Sequence, residues 1–519
     1  MTSTTATPAP ERFDVLIVGA GISGLGAAHH LQRRCPERSF VILEGRERLG
    51  GTWDLFRYPG IRSDSDMYTL GYRFKPWTAA KAIADGPSIL DYLDETAREN
   101  DLERRIRFRH HVESASWSSR DATWTVHATR TDEQGASSLV TLRCNFLFLC
   151  SGYYDYSQGH APRFTGEDEF SGQMVHPQFW PEDLDYTGQR VVVIGSGATA
   201  VTLVPAMAED AAHVTMLQRT PTYVVSRPGE DRVANVLRRF LPTKLAYALN
   251  RWKNVLLGMY FYRLCRRRPE KARQMILDEV RKELGEDFDV EKHFRPPYDP
   301  WDQRMCLVPD GDLFQALRSG KASVVTDRIE RFTESGIRLE SGDELPADVV
   351  VTATGLRLQL MSGIELSVDG EPCDLSQAMT YKGMMFSELP NLALVMGYTN
   401  ASWTLKADLV SGYVCRLLNH MRRRGYDTCR PRLREQGLEQ RPFLDLTSGY
   451  VTRAMERFPK QSTRKPWRLY QNYLLDSLAL RFGRLRDGVM EFSRAGQIVV
   501  HEAAPSDAAG ERPELAETA

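Results

Sequence analysis

Two apolar runs, each closed by a glycine turn and followed by a helix-like pattern, organise this chain. Val15, Leu16, Ile17 and Val18 lead into Gly19-Ala20-Gly21-Ile22-Ser23-Gly24. Val191, Val192, Val193 and Ile194 lead into Gly195-Ser196-Gly197-Ala198-Thr199-Ala200. A short unbroken apolar run bounded by turn residues is the pattern of a strand buried on both faces. After each helix-like stretch comes another such run, 40–43 and 214–217. This alternation predicts an α/β fold with two Rossmann-like dinucleotide-binding domains. Further strands are expected at 146–150, 348–355 and 392–397; the first two end in small residues and glycine, as where backbone approaches a bound group. Between 227 and 294 strand patterns give way to helical periodicity, so a helical insertion in the second domain is expected. The predicted layout is a disordered N-terminus over 1–10, a first nucleotide domain over 11–160 and 381–495, a second over 161–226 and 295–380 interrupted at 227–294, and a tail over 496–519.

The two turns share a spacing and differ at the selecting residue. In each, the first glycine makes a tight turn, the second lets backbone approach a pyrophosphate, and the third position allows close helix packing. Gly19, Gly21 and Gly24 are thus expected at one pyrophosphate, and Gly195, Gly197 and Ala200 at the other, each at a helix N-terminus that favours an anion. The next strand ends at Glu44 in the first unit and is followed by Arg219 in the second. A carboxylate accepts from a ribose 2′-hydroxyl and repels a 2′-phosphate, whereas a guanidinium suits that phosphate. The first site should therefore hold FAD or NAD and the second NADPH.

Composition narrows the classes. At 519 residues, 42% hydrophobic and 26% charged, with a net charge of −1, the chain reads as a soluble globular protein of about three domains with no case for nucleic acid. Its eight cysteines form no C-x-x-C pair, which argues against a structural zinc or a dithiol redox centre and suits a reducing cytoplasm. Neither His29-His30 nor His110-His111 has metal spacing, and no metal is expected. The first ten residues lack signal-peptide character, and no apolar run is long enough to span a membrane.

Further motifs carry a resemblance. After Glu44 come Gly51, Thr52, Trp53, Tyr58, Pro59, Gly60 and Asp64. Between the glycine turns lie Phe170, Gly172, His176, Trp180 and Pro181. The pattern Phe-x-Gly-x-x-x-His-x-x-x-Trp-Pro resembles the fingerprint of type I Baeyer–Villiger monooxygenases, and the Gly51–Asp64 motif is similar to that family's longer signature. The similarity runs from 14 to about 482. It implies an FAD- and NADPH-dependent enzyme that inserts one oxygen atom beside a ketone carbonyl through a C4a-peroxyflavin, giving an ester, and that also oxygenates sulfides or thioamides. It implies an Arg beside the flavin, oriented by an Asp; the matching positions are Arg304 and Asp64. Gly51, Thr52, Trp53 and Asp64 match residues at the flavin. His176 and Trp180 are expected to couple domain movement to cofactor placement, with no proton-transfer role. One departure stands out: where many members carry Lys before the Arg, this chain has Gln303. Phosphate recognition then rests on Arg219, helped by the Thr220 hydroxyl, and the preference for NADPH should be weaker than in those members.

The sequence leaves rival readings open: a flavin monooxygenase that hydroxylates nitrogen or sulfur, against which Trp180 and Arg304 count, and a non-oxygenating NADPH–flavin reductase, which would not need the Arg304–Asp64 pair. A scaffold that keeps only the fold is a third. Within the insertion, residues 232–273 carry 12 Lys or Arg against the single acid Glu270, around the apolar stretch 255–262. This segment reads either as peripheral contact with an anionic membrane or as a core helix with solvated ends.

Overall fold

The computed structural model describes residues 10–435 and 437–496; the expected N-terminal segment up to residue 9 and the tail from 497 lie outside the described residues. Two sheets carry the architecture. In the first, Glu11–Val18 pairs in parallel with Phe40–Leu43 on one side and Ser137–Leu149 on the other, in registers Val18↔Leu43 and Val18↔Leu149. Leu392–Leu394 returns to pair in parallel with Ser137–Leu149. The helix Ile22–Arg34 covers this sheet and packs on the long helix Trp403–Arg424. An antiparallel meander, His110–Ser118, Thr123–Thr131 and Ser137–Leu149, extends the sheet laterally.

The second sheet is wholly parallel, in the order Ala322–Thr326, His213–Gln218, Arg190–Ile194, Val349–Thr352, Gln173–Val175. Alternation explains why both leading strands end in unbroken apolar runs, 15–18 and 191–194. Val15 and Ile17 enter one core cluster while Leu16 and Val18 enter another; Val191 and Val193 split from Val192 and Ile194 in the same way. Both faces are covered over 15–18 and 191–194, so no position in those stretches is free to be polar, while Glu11, Arg12, Asp14 and Arg190 stand at the open strand starts.

The segment between the two halves of the second unit forms the helices Arg232–Phe240, Thr243–Arg267, Pro269–Leu284 and Val290–Phe294. The apolar stretch 255–262 is not core throughout: Val255 is buried, but Leu256, Leu257 and Tyr260 are exposed. Among the described residues, no helix is long and apolar enough to cross a membrane.

Candidate functional site

Both glycine turns open into one cavity of about 1380 Å³. Gly19 has φ +98°, and a Cβ there would lie 2.8 Å from the Cys150 carbonyl oxygen; Gly195, at φ +139°, would meet the Ala353 oxygen at 2.4 Å. Each turn therefore presses against the end of the neighbouring strand, and only glycine fits. Gly21 and Gly197 are the N-caps of the two helices, neither with a side-chain capping bond. Their first-turn N–H groups thus face the cavity without a side-chain acceptor, as an anion site requires. A Cβ on Gly197 would meet nothing within 4 Å, so the space in front of this turn is open.

The third fingerprint positions need correcting. Gly24 and Ala200 do not line the cavity. A Cβ on Gly24 would fall 1.8 Å from the Gly19 oxygen, and Ala200 is fully buried in the core of the second unit. One turn into the helix, the side chain points back toward the strand, so these positions set helix–strand packing and act on a ligand only through the turn they shape.

Glu44 lies at the cavity wall, and both its oxygens are already engaged: Oε2 accepts from the Ala20 N–H at 2.7 Å and Oε1 from that of Arg46 at 2.9 Å. Burial pushes its pKa up, against those two bonds. Gly51, Thr52 and Trp53 also line the cavity, and Thr52 Oγ1 lies 3.3 Å from the Tyr156 hydroxyl. Arg219 and Thr220 stand where the second unit meets the cavity. Arg219 is exposed and forms no ion pair with any described residue; the Thr220 carbonyl accepts from Ser196 Oγ at 2.9 Å. Gln303 lines the same cavity.

Distant segments bring Asp64 and Arg304 together. Asp64 sits inside a tight turn that Ser63 Oγ closes on Ser65, and the next helix is capped by Asp66, which accepts from the Thr69 N–H, so Asp64 is left free of capping. Arg304 ends an irregular stretch that neighbouring elements hold in place. Asp299 pairs with Arg273 at 2.5 Å, Asp302 pairs with Arg266 at 2.6 Å, and the Tyr298 carbonyl accepts from the Tyr223 hydroxyl at 2.8 Å. Arg304 Nη2 then reaches Asp64 Oδ2 at 2.5 Å, with about a third of each side chain open to the cavity (35% and 31%). The Asp64 carboxylate raises the guanidinium's pKa further above its ordinary value. The cavity thus carries a permanent cation whose direction is fixed by a second charge.

Around this pair stands a wall of aromatic residues that the sequence reading missed. The Tyr153 and Tyr154 hydroxyls lie 3.2 Å apart, and Tyr153 stacks on Trp403 at 5.2 Å. Trp403 Nε1 donates to Ser23 Oγ at 2.7 Å in the first turn of the nucleotide helix. Tyr450 completes the group. Burial pushes Tyr154 and Tyr450 up to about 12 and raises Tyr153 as well, so all three are neutral phenols at working pH. The available signal was position: Tyr153 and Tyr154 directly follow the Ser151-Gly152 strand exit. Cys150 and Cys306 are buried in the same wall.

The Phe170–Trp180 fingerprint lies outside the cavity. Phe170 packs edge-on against Phe332, residues 173–175 form the edge strand of the second sheet, and Trp180 packs in the second core. A Gly172 Cβ would fall 2.4 Å from the Asp348 oxygen. His176 Nδ1 accepts from the Gln178 N–H at 3.2 Å, its Nε2 is buried without a hydrogen-bond partner, and burial lowers its pKa. Gln178 in turn donates to the Asp155 carbonyl at 2.8 Å, which ties the fingerprint to the crossover out of the first unit.

Residues 83–400 match the family model described as flavin-binding monooxygenase-like. The chain belongs to that family. Residues 17–85 also match an NAD(P)-binding Rossmann-like domain. This flavin-binding monooxygenase-like chain is 57% identical over 485 residues to the FAD-containing monooxygenase EthA of Mycobacterium tuberculosis, covering 93% of the chain and 98% of that protein. It is 49% identical to the probable FAD-binding monooxygenase AlmA of Acinetobacter baylyi, covering 95% and 99%. Among solved structures, its fold is similar to a steroid monooxygenase bound to NADP (TM-score 0.70, 22% identity, covering 93% of the chain and 100% of that one). It is also similar to a cyclohexanone monooxygenase bound to ε-caprolactone (TM-score 0.72, 20% identity, covering 93% and 100%).

Proposed function

We propose that the protein is a Baeyer–Villiger monooxygenase that uses FAD and NADPH to turn ketones into esters and also oxygenates sulfides or thioamides. The observation that carries this reading is the Arg304–Asp64 pair inside the cavity onto which both glycine turns open. Reduced flavin, when bound, supplies activation of molecular oxygen. The chain's own residues do the rest. The uncapped helix ends at Gly21 and Gly197 bind two pyrophosphates, and Glu44 faces a ribose. Arg219, with Thr220, meets a 2′-phosphate. Arg304, held by Asp64, stabilises negative charge that develops during oxygen transfer. Tyr153, Tyr154 and Tyr450 wall the region off from bulk water.

A hydroxylase of nitrogen or sulfur is the nearest rival. A panel of cyclic, aryl and long-chain aliphatic ketones, run beside aryl sulfides with NADPH consumption and product identification, separates the two. Esters from at least one ketone class are expected, with sulfoxides alongside. Sulfoxides or N-oxides alone, across the whole panel, would move the protein to the rival class.

We also infer a cytoplasmic location with peripheral contact to an anionic membrane through 232–273. Eight free cysteines suit a reducing compartment, and exposed Leu256, Leu257 and Tyr260 stand among cations. Arg266 is better left out of a test, because its pairing with Asp302 holds the Arg304 segment. Replacing Arg263, Arg267 and Arg268 by Gln should reduce sedimentation with phosphatidylglycerol vesicles at low salt, and high salt should reduce it for the parent. A parent that stays in the supernatant at low salt removes this reading.

A further inference from the structure

A second cavity, of about 570 Å³, lies beside the long helix Thr243–Arg267. Its charge is one-sided. Arg33, Arg73 and Lys244 line it, and none of their side chains forms an ion pair or hydrogen bond with any described residue. Arg251, only 5% exposed, donates through Nη1 to the Tyr68 and Gly71 carbonyls at 2.7 and 2.8 Å, while its buried Nε has no partner. The one acid in the wall, Glu99, is already neutralised by Lys75 at 2.6 Å. A fifth cation in the wall, Arg481, pairs with Asp408 at 3.4 Å; gathering the other four with so little compensation is unfavourable unless an anion joins them.

The other side of the cavity is apolar. Trp252 and Tyr473 meet across the wall with ring centroids 5.7 Å apart. From this contact two exposed apolar stripes run outward. On the long helix Leu245, Leu249, Trp252, Leu256 and Tyr260 recur at helical spacing. On the C-terminal segment Leu474, Leu478 and Phe482 do the same, the last 77% exposed. Exposed apolar side chains joined in this way signal a binding surface. No acid occurs between 232 and 269, and Asp476, the only one in 473–482, is buried against Lys406 at 3.0 Å. The face therefore offers cations and hydrocarbon together.

We propose that this cavity binds a phosphorylated amphiphile. The phosphate sits among Arg33, Arg73, Lys244 and Arg251, and the chain leaves past Trp252 and Tyr473 onto the apolar stripes. The same chemistry is presented by a phospholipid in a bilayer and by a free alkyl phosphate. The site extends the membrane reading but does not depend on it.

The test uses the flavin-loaded full chain and dodecyl phosphate below its micelle concentration, followed by calorimetry. Saturable binding at one site is expected, at least about 10-fold tighter than inorganic phosphate. The triple variant R33Q/R73Q/K244Q should bind at least about 10-fold more weakly while its ketone-dependent NADPH consumption stays at the parental rate, which shows that it is folded. The variant L256S/L478S should keep binding inorganic phosphate like the parent and lose flotation with phosphatidylglycerol vesicles. Parental binding of dodecyl phosphate without flotation makes the ligand a free amphiphile; the site stands and the membrane reading fails. No saturable binding by the parent, or equal binding by the triple variant, overturns the site, even where vesicles still float both proteins.

Discussion

Arg304→Ala should still be reduced by NADPH at close to the parental rate, yet its ester formation should fall by on the order of 10²-fold or more, the loss seen when a preorganised charge is removed from a reaction's developing anion. In the role proposed for Arg304, the guanidinium serves oxygen transfer and not hydride transfer. Consumed NADPH should then appear as hydrogen peroxide. Asp64→Asn is the companion variant. It keeps the shape beside Arg304 and removes the charge that aligns it at 2.5 Å, so it should uncouple partly, between parent and Arg304→Ala. Stopped-flow reduction, peroxide assay and product analysis on the same samples separate the steps. A variant that couples NADPH to ester as the parent does would falsify the assignment.

Arg219→Ala should weaken NADPH binding by roughly 10–150-fold, corresponding to about 1.5–3 kcal/mol for a charge-assisted contact, and leave NADH nearly unchanged. The size follows from the surroundings. Arg219 has no carboxylate partner among the described residues, so its charge is unspent, and Gln303 on the same cavity offers no second cation. Titrating both coenzymes against parent and variant decides the matter; an equal loss for both would mean that Arg219 serves the fold rather than the phosphate. Restoring Lys at position 303 in the parent should move the preference the other way.

How much of this was legible in sequence depends on whether chemistry and periodicity coincide. The two nucleotide units were readable because strands covered on both faces must be apolar at every position, and because Gly19 and Gly195 sit where a Cβ would strike the neighbouring strand. Gly24 and Ala200 were found but misplaced, since spacing does not tell which side of a helix turn faces a ligand. Asp64 and Arg304 carry no mutual signal in the chain: each lies in an irregular stretch, and their meeting depends on ion pairs such as Asp302–Arg266 that spacing cannot foresee. Only the family resemblance singled them out. Tyr153 and Tyr154 were missed because aromatic residues in a crossover have no period, and Tyr450 because its helix, Gly449–Thr452, is too short to show one. Leu474, Leu478 and Phe482 were missed because their short helical segment has meaning only against Trp252.

The thiols give the cavity a further property. Cys150 and Cys306 line the cavity that holds the Arg304–Asp64 pair, and burial pushes the Cys306 thiol up to about 12 and raises Cys150 as well. Only the thiolate reacts readily with peroxide. Cys306 therefore stays protonated at pH 7. A catalyst that releases peroxide into this cavity would thus meet both thiols in their unreactive form, although the Met305 thioether lines the same space. Its lifetime in turnover should be set by damage elsewhere, and mass spectrometry of protein aged with NADPH and no ketone should find these two cysteines intact.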